Sequence, residues 1–214
     1  MTEDSKRRWH PSAGLTLFGR KPALEALMDP LLEIHCLHLA NSNRSGGIIT
    51  QIMTEAERRG VETRFHDRQT LSRISKNGRQ DQGVALDVIC PSFQALDALL
   101  ASSKLPRSLL ALDGITNPQN VGMIIRSCCA AGINAIFYPK RSVAALGPLV
   151  IKGSAGTLFN APIIQCEDAR LTGHSLKEHG FDIAVLDSHA ETSLFDFKPA
   201  KPTVYVLGGE TDGV

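Results

Sequence analysis

No apolar run in this chain of 214 residues reaches the roughly 18 residues that a membrane-spanning helix needs. The opening M-T-E-D-S-K-R-R-W-H-P also lacks the apolar centre of a secretory signal. Together these absences lead us to expect a cytoplasmic protein with no membrane partner. There is no C-x-x-C pair and no Cys/His cluster at zinc-ligand spacing, so the five cysteines read as small core residues of a reduced compartment. His35 and His38 do not share one face of a strand, and no metal is expected. Net charge is only +1, which argues against nucleic-acid binding by bulk charge; any such site must be local.

The usual nucleotide signatures are missing as well. No G-x-G-rich turn follows the first apolar strand of the second half, and no G-K-[ST] is present to hold phosphates. The G-S-A-G stretch at 153–156 reads as a helix-end turn. Without a G-x-S-x-G elbow, Ser154 reads as a cap or packing residue rather than a nucleophile. Neither an internal repeat nor a low-complexity segment occurs.

What is present is ordinary for a globular chain, with 43% apolar and 21% charged residues. Residues 1–14 read as a flexible tail. From 15 to 90 strands and helices alternate: strands at 15–18, 34–39, 61–65 and 84–89, and helices near 22–28, 48–59 and around Leu71. Residues 91–107 read as a linker holding one amphipathic helix, 93–101, before the breaker K-L-P-R. From 108 to 214, apolar strands at 109–112, 133–138, 162–166, 183–186 and 204–207 alternate with helical stretches. That pattern predicts an α/β domain with a mostly parallel sheet covered on both faces.

The most informative segment is L-D-G-I-T-N-P-Q-N-V-G-M-I-I-R, Leu112 to Arg126. Asn117 reads as a helix N-cap, Pro118 as the first helical residue, and the helix runs to about Ala131. Its expected core stripe is Val121, Ile124, Ile125 and Cys128, with Gly122 and Arg126 one turn apart on a neighbouring stripe beside Asn120. Two further segments stand out, K-G-S-A-G at Lys152 to Gly156 and V-L-G-G-E-T-D-G at Val206 to Gly213.

In this order and spacing the three segments resemble the motifs of the SpoU-type (TrmH-like) RNA ribose 2'-O-methyltransferases of the SPOUT class. The stretches F-G-R-K-P-A-L-E-A-L, Phe18 to Leu27, and D-Q-G-V-A, Asp81 to Ala85, are similar to the L30e-like RNA substrate-binding domain of the 23S rRNA guanosine branch. That branch usually carries histidine where Asp81 stands. The resemblance implies an L30e-like α/β module, 15–90, followed by a trefoil-knot-type domain, 108–214. It further implies S-adenosylmethionine as cofactor, RNA (ribosomal rather than transfer RNA) as partner, and a homodimer in the full-length protein.

By the same resemblance Arg126 is the catalytic arginine, Asn120 orients it or the ribose, and Glu210 holds them in register. Leu207, Gly208 and Gly209 border the cofactor. The family's domain continues beyond its G-x-E motif into segments that close the knot, whereas this chain ends at Val214. The expectation is therefore an incomplete domain with residues 206–214 poorly anchored and little cofactor binding or methyl transfer by this chain alone; a non-catalytic RNA-binding protein is the rival. Two basic patches could serve RNA. Lys6, Arg7, Arg8 and Trp9 are either an RNA clamp or a solvated end, and Arg64, Arg68, Arg73, Lys76 and Arg79 either follow a phosphate backbone or form a charged helix face.

Overall fold

The computed structural model describes residues 13–102 and 105–209. The basic tail Lys6–Trp9 lies outside them. The chain divides into two compact units, 1–91 and 92–214.

In the first unit, β1 (Gly14–Phe18), β4 (Val84–Ile89), β2 (Glu33–Ala40) and β3 (Glu62–His66) form a four-stranded sheet in that order. β1 and β2 run antiparallel to β4, and β3 runs parallel to β2. All six residues of β4 are buried, as a central strand requires. Helices α1 (Arg20–Met28) and α2 (Gly47–Arg58) pack on each other, and Ala23, Leu27, Ile49, Ile52 and Ala56 are their buried residues, with Ala26. Arg59 closes the end of α1 by donating to the carbonyls of Leu27 and Asp29, both at 2.9 Å. α3 (Arg68–Ser75) begins at Asp67, whose carboxylate accepts from the Thr70 N–H, and lays Leu71 and Ile74 over Ala40 and Ala85.

In the second unit, α4 (Leu96–Leu100) precedes β5 (Ser108–Leu112), and α5 (Pro118–Ala131), β6 (Ala135–Pro139), α6 (Pro148–Gly153) and β7 (Ile163–Cys166) follow. The chain goes on through α7 (Ala169–Glu178), β8 (Asp182–Leu186) and β9 (Thr203–Leu207). The five strands are wholly parallel, in the order β7-β6-β5-β9-β8. One face buries Leu109, Ala111, Ala135, Phe137, Ile164 and Val204 beneath Leu99 of α4 and Leu176 of α7. The segment read as a linker is thus part of this core: Leu96, Leu99 and Leu100 pack into it, and Gln94 pairs with Ile164.

The expectation for Val206 and Leu207 is corrected too. β9 is an interior strand, with Val206 paired to Ala111 and Val185, and Leu207 to Leu112 and Leu186. Two neighbouring ladders anchor these residues. Among the described residues, no helix is long and apolar enough to cross a membrane.

Candidate functional site

The sheet order sets where a site can form. From β5 the chain steps to β6 and β7 on one side, then returns to place β8 and β9 on the other. The reversal falls between β5 and β9, and in open parallel sheets the crevice outside the carboxyl ends of such strands is where ligands bind. Leu112 and Leu207 are partners at those ends. The Asp113 N–H donates to the Leu207 carbonyl at 3.0 Å, carrying the contact beyond the strands. Further out, a Cβ on Gly209 would stand 2.5 Å from the Gly114 carbonyl oxygen, so backbone lies on backbone there. Leu207, Gly208 and Gly209 are each half-buried at this rim. Glu210 lies outside the described residues.

α5 starts at the same rim. The Asn117 side chain accepts from the Gln119 N–H at 2.9 Å, with Pro118 in the first turn and Gly132 closing the helix at φ 70°. Gly122 departs from expectation. It is buried with Val121, Ile125 and Cys128, whereas Ile124 is only half-buried. The reason is α6: a Cβ on Gly122 would lie 2.7 Å from Gly153 Cα and from the Ser154 nitrogen. Hence the glycine of the first segment clears space for the K-G-S-A-G segment, not for the Arg126 guanidinium. Ser154 is fully buried, its hydroxyl donating to Ile151 O at 2.9 Å and accepting from Leu158 N at 3.3 Å. It packs and caps.

The other side of α5 presents Asn120, half-buried, and Met123 and Arg126, exposed. All three sequence segments therefore meet: the first touches the second at Gly122 and Gly153, and the third at Asp113–Leu207 and Gly114–Gly209. The glycine pairings were not legible beforehand, because each partner is set by a different element.

The proposed basic patch of the first unit divides. Arg64 is paired to Glu62 at 2.7 Å, and Arg68 to the fully buried Asp81 at 3.0 Å. Asp81 also accepts from Ser75 Oγ and from Gly83 N, each at 2.9 Å, so it is the anchor of its loop. Arg73, Lys76 and Arg79 remain exposed. Sequence reasoning missed Arg20, whose Nε donates to Gln82 O at 3.2 Å while a terminal nitrogen reaches Asn43 Oδ1 at 3.4 Å. Asn43 in turn donates to Gly83 O at 2.7 Å.

It also missed a buried polar cluster in the same unit. His38 Nε2 lies 3.0 Å from Asp87 Oδ2, and its Nδ1 lies 3.0 Å from His66 Nε2. Thr16 Oγ1 donates to Asp87 Oδ1 at 2.6 Å. Burial works against a charge on His38, but the hydrogen bonds to Asp87 and Cys36 carry its pKa up to about 9. Burial and the adjacent His38 charge push His66 down. Strand alternation makes the cluster: His38, Asp87, Thr16 and His66 share the sheet face that carries Ala40 and Ala85. Among the described residues, no group of three or more His, Cys, Asp or Glu side chains is placed to hold a metal ion.

Comparison with known proteins agrees with the arrangement of motifs. Residues 107–214 match the SpoU rRNA Methylase family, and residues 16–92 match the RNA 2'-O ribose methyltransferase substrate binding family. An uncharacterized tRNA/rRNA methyltransferase of Mycolicibacterium smegmatis is 30% identical over 201 residues, covering 92% of this chain and 63% of that protein. A 23S rRNA (guanosine-2'-O-)-methyltransferase RlmB of Neisseria meningitidis is 30% identical over 164 residues, 77% of this chain and 66% of its own. In fold, the chain resembles the SpoU methyltransferase AviRb of Streptomyces viridochromogenes, solved with AdoMet. The TM-score is 0.55 at 18% identity, over 94% of this chain and 75% of the other. An rRNA methyltransferase of Sinorhizobium meliloti gives a TM-score of 0.53 at 18% identity, over 95% and 74% of the two chains. The chain spans 63% of the length of the mycobacterial relative. With a match over the whole of its second unit's sheet and the three motifs in contact, the chain belongs to the SpoU rRNA methylase family.

Proposed function

We propose that the protein transfers a methyl group from S-adenosylmethionine to a ribose 2'-hydroxyl of RNA, with ribosomal RNA as substrate. The observation that carries this reading is that the first motif segment meets the third at the reversal between β5 and β9 and the second along α5. It is supported by the AdoMet complex of AviRb and by the rRNA activity named for the Neisseria relative. The residues present fit the cofactor: a side-chain-free backbone wall at Gly208 and Gly209 and the half-buried Leu207 suit an adenosine. When bound, the cofactor supplies the electrophilic methyl group.

The chain's own residues then have positioning to do. Arg126 offers a planar fork that grips a backbone phosphate and orients the neighbouring ribose. A guanidinium presents donors and no acceptor, so its part is to position the hydroxyl rather than to take its proton. Asn120, on the same helix, orients that fork or the ribose, and Glu210 holds the pair in register. We place the enzyme in the cytoplasm as a homodimer. Transfer of labelled methyl from S-adenosylmethionine to ribosomal RNA, with nuclease digestion to locate the 2'-O-methyl nucleotide, tests the reading. Label appearing only in transfer RNA, or only on bases, overturns it.

A further inference from the structure

We propose that the first unit meets RNA backbone along one edge, where the start of α1 at 19–22 converges with the loops 41–46 and 76–83, and not along the α3 face. The proposal rests on the RNA reading above and adds the surface.

Arg20, the first residue of α1, ties the three segments together: it reaches Gln82 in the last and Asn43 in the second, and Asn43 reaches back to Gly83. These hydrogen bonds fix the backbone around three residues of positive φ, Gly19 at 94°, Gln82 at 52° and Gly83 at 78°. The edge is therefore built before a ligand arrives, which lowers the ordering cost of binding. Its charge is one-sided. Lys21, Arg44, Lys76 and Arg79 are exposed, and none is ion-paired among the described residues. The only carboxylate in the three segments, Asp81, is fully buried and already paired with Arg68.

The α3 face differs on both counts. Arg64 is held by Glu62, and Arg68 is spent on Asp81, so the patch expected from composition loses two of its cations to protein partners. A polyanion gains by meeting cations that have no carboxylate to give up. Exposed amides sit among the edge cations, at Asn41, Gln80 and Gln82, and can donate to phosphate or sugar oxygens.

Fluorescence anisotropy with a labelled ribosomal RNA hairpin and the 214-residue protein separates the alternatives. One triple variant, Arg44→Gln, Lys76→Gln and Arg79→Gln, is compared with a second of equal charge loss, Arg58→Gln, Arg64→Gln and Arg73→Gln. The edge variant is expected to bind at least about tenfold more weakly at physiological salt, with a log–log salt slope lower by about three. The second variant should stay within about twofold of wild type. Thermal melting checks that both remain folded. If the wild type binds and both variants weaken alike, or only the second does, the edge is overturned and the RNA reading stands. If the wild type does not bind the hairpin at low salt, the RNA reading falls and the edge with it.

Discussion

Gly122 and Gly153 lie so close that a Cβ on Gly122 would come within 2.7 Å of Gly153 Cα. The contact joins α5, which carries Asn120 and Arg126, to α6 by backbone alone, and no side-chain rotation can relieve an added methyl group there.

Gly122→Ala is therefore expected to destabilise the second unit by about 1–3 kcal/mol, although alanine gains about 1 kcal/mol in helix propensity. Gly153→Ala should cost less, since its Cβ would meet Gln119 O at 3.0 Å and Gly122 Cα at 3.3 Å. Urea denaturation of the two variants measures the order. An alanine at 122 that leaves the midpoint unchanged would show that the helices can part freely.

Arg126→Ala should leave the fold intact, because the side chain is exposed. Methyl transfer should fall roughly 100-fold or more, about 3 kcal/mol, the usual cost of one preorganised contact at a reacting centre. Arg126→Lys should recover little without the planar fork. Single-turnover rates with labelled cofactor decide, and near-wild-type turnover of the alanine variant would remove Arg126 from the mechanism.

The buried cluster makes the stability of the first unit depend on pH from two sides. His38 has a folded pKa near 9 against 6.5 for the free side chain, so its contribution is complete below 6.5 and is lost as pH rises through about 9. His66 is shifted down, so its contribution is present above 6.5 and is lost as pH falls through its folded value. Urea midpoints across this range should peak near neutrality. In Asp87→Asn the alkaline limb should flatten and the midpoint at neutral pH should drop; an unchanged alkaline limb would separate Asp87 from the His38 charge.

Asp81→Asn should cost about 1–3 kcal/mol, because the amide cannot accept from Arg68, Ser75 and Gly83 at once. Asp81→His, the residue its relatives were expected to carry, should be no better here, since nothing of that shape satisfies the Gly83 N–H and the Ser75 hydroxyl together. Differential scanning calorimetry of both variants tests the anchor.

Local signals were readable in the linear chain, and distant ones were not. Asn117, Pro118 and Gly132 specify the two ends of α5 through bonds within a few residues, so the start and end of that helix could be placed in advance. The inward turn of Gly122 depends on α6, and the pairing of Arg68 with Asp81 depends on a loop that folds back on α3. Composition around Arg64 to Arg79 showed many cations but not which of them already had a carboxylate. His38 and Asp87 lie on strands that are neighbours only once the sheet forms. The motif segments were legible as motifs; what joins them, glycine backbone against glycine backbone, was not.

The position of β9 has a consequence for how the second unit comes together. β5, β6 and β7 can pair as they are made, but the strand partner of β8 is β9 alone, and β9 must slot between it and β5. Until residues 203–207 have left the ribosome, one flank of β5 stays open and β8, with α7 against it, has no strand to pair with. Such late, long-range pairing is slow and leaves unpaired edges available to other chains. The nascent protein should accordingly be most prone to aggregate in the interval between synthesis of β8 and insertion of β9, and a chaperone acting then would matter more than one acting earlier.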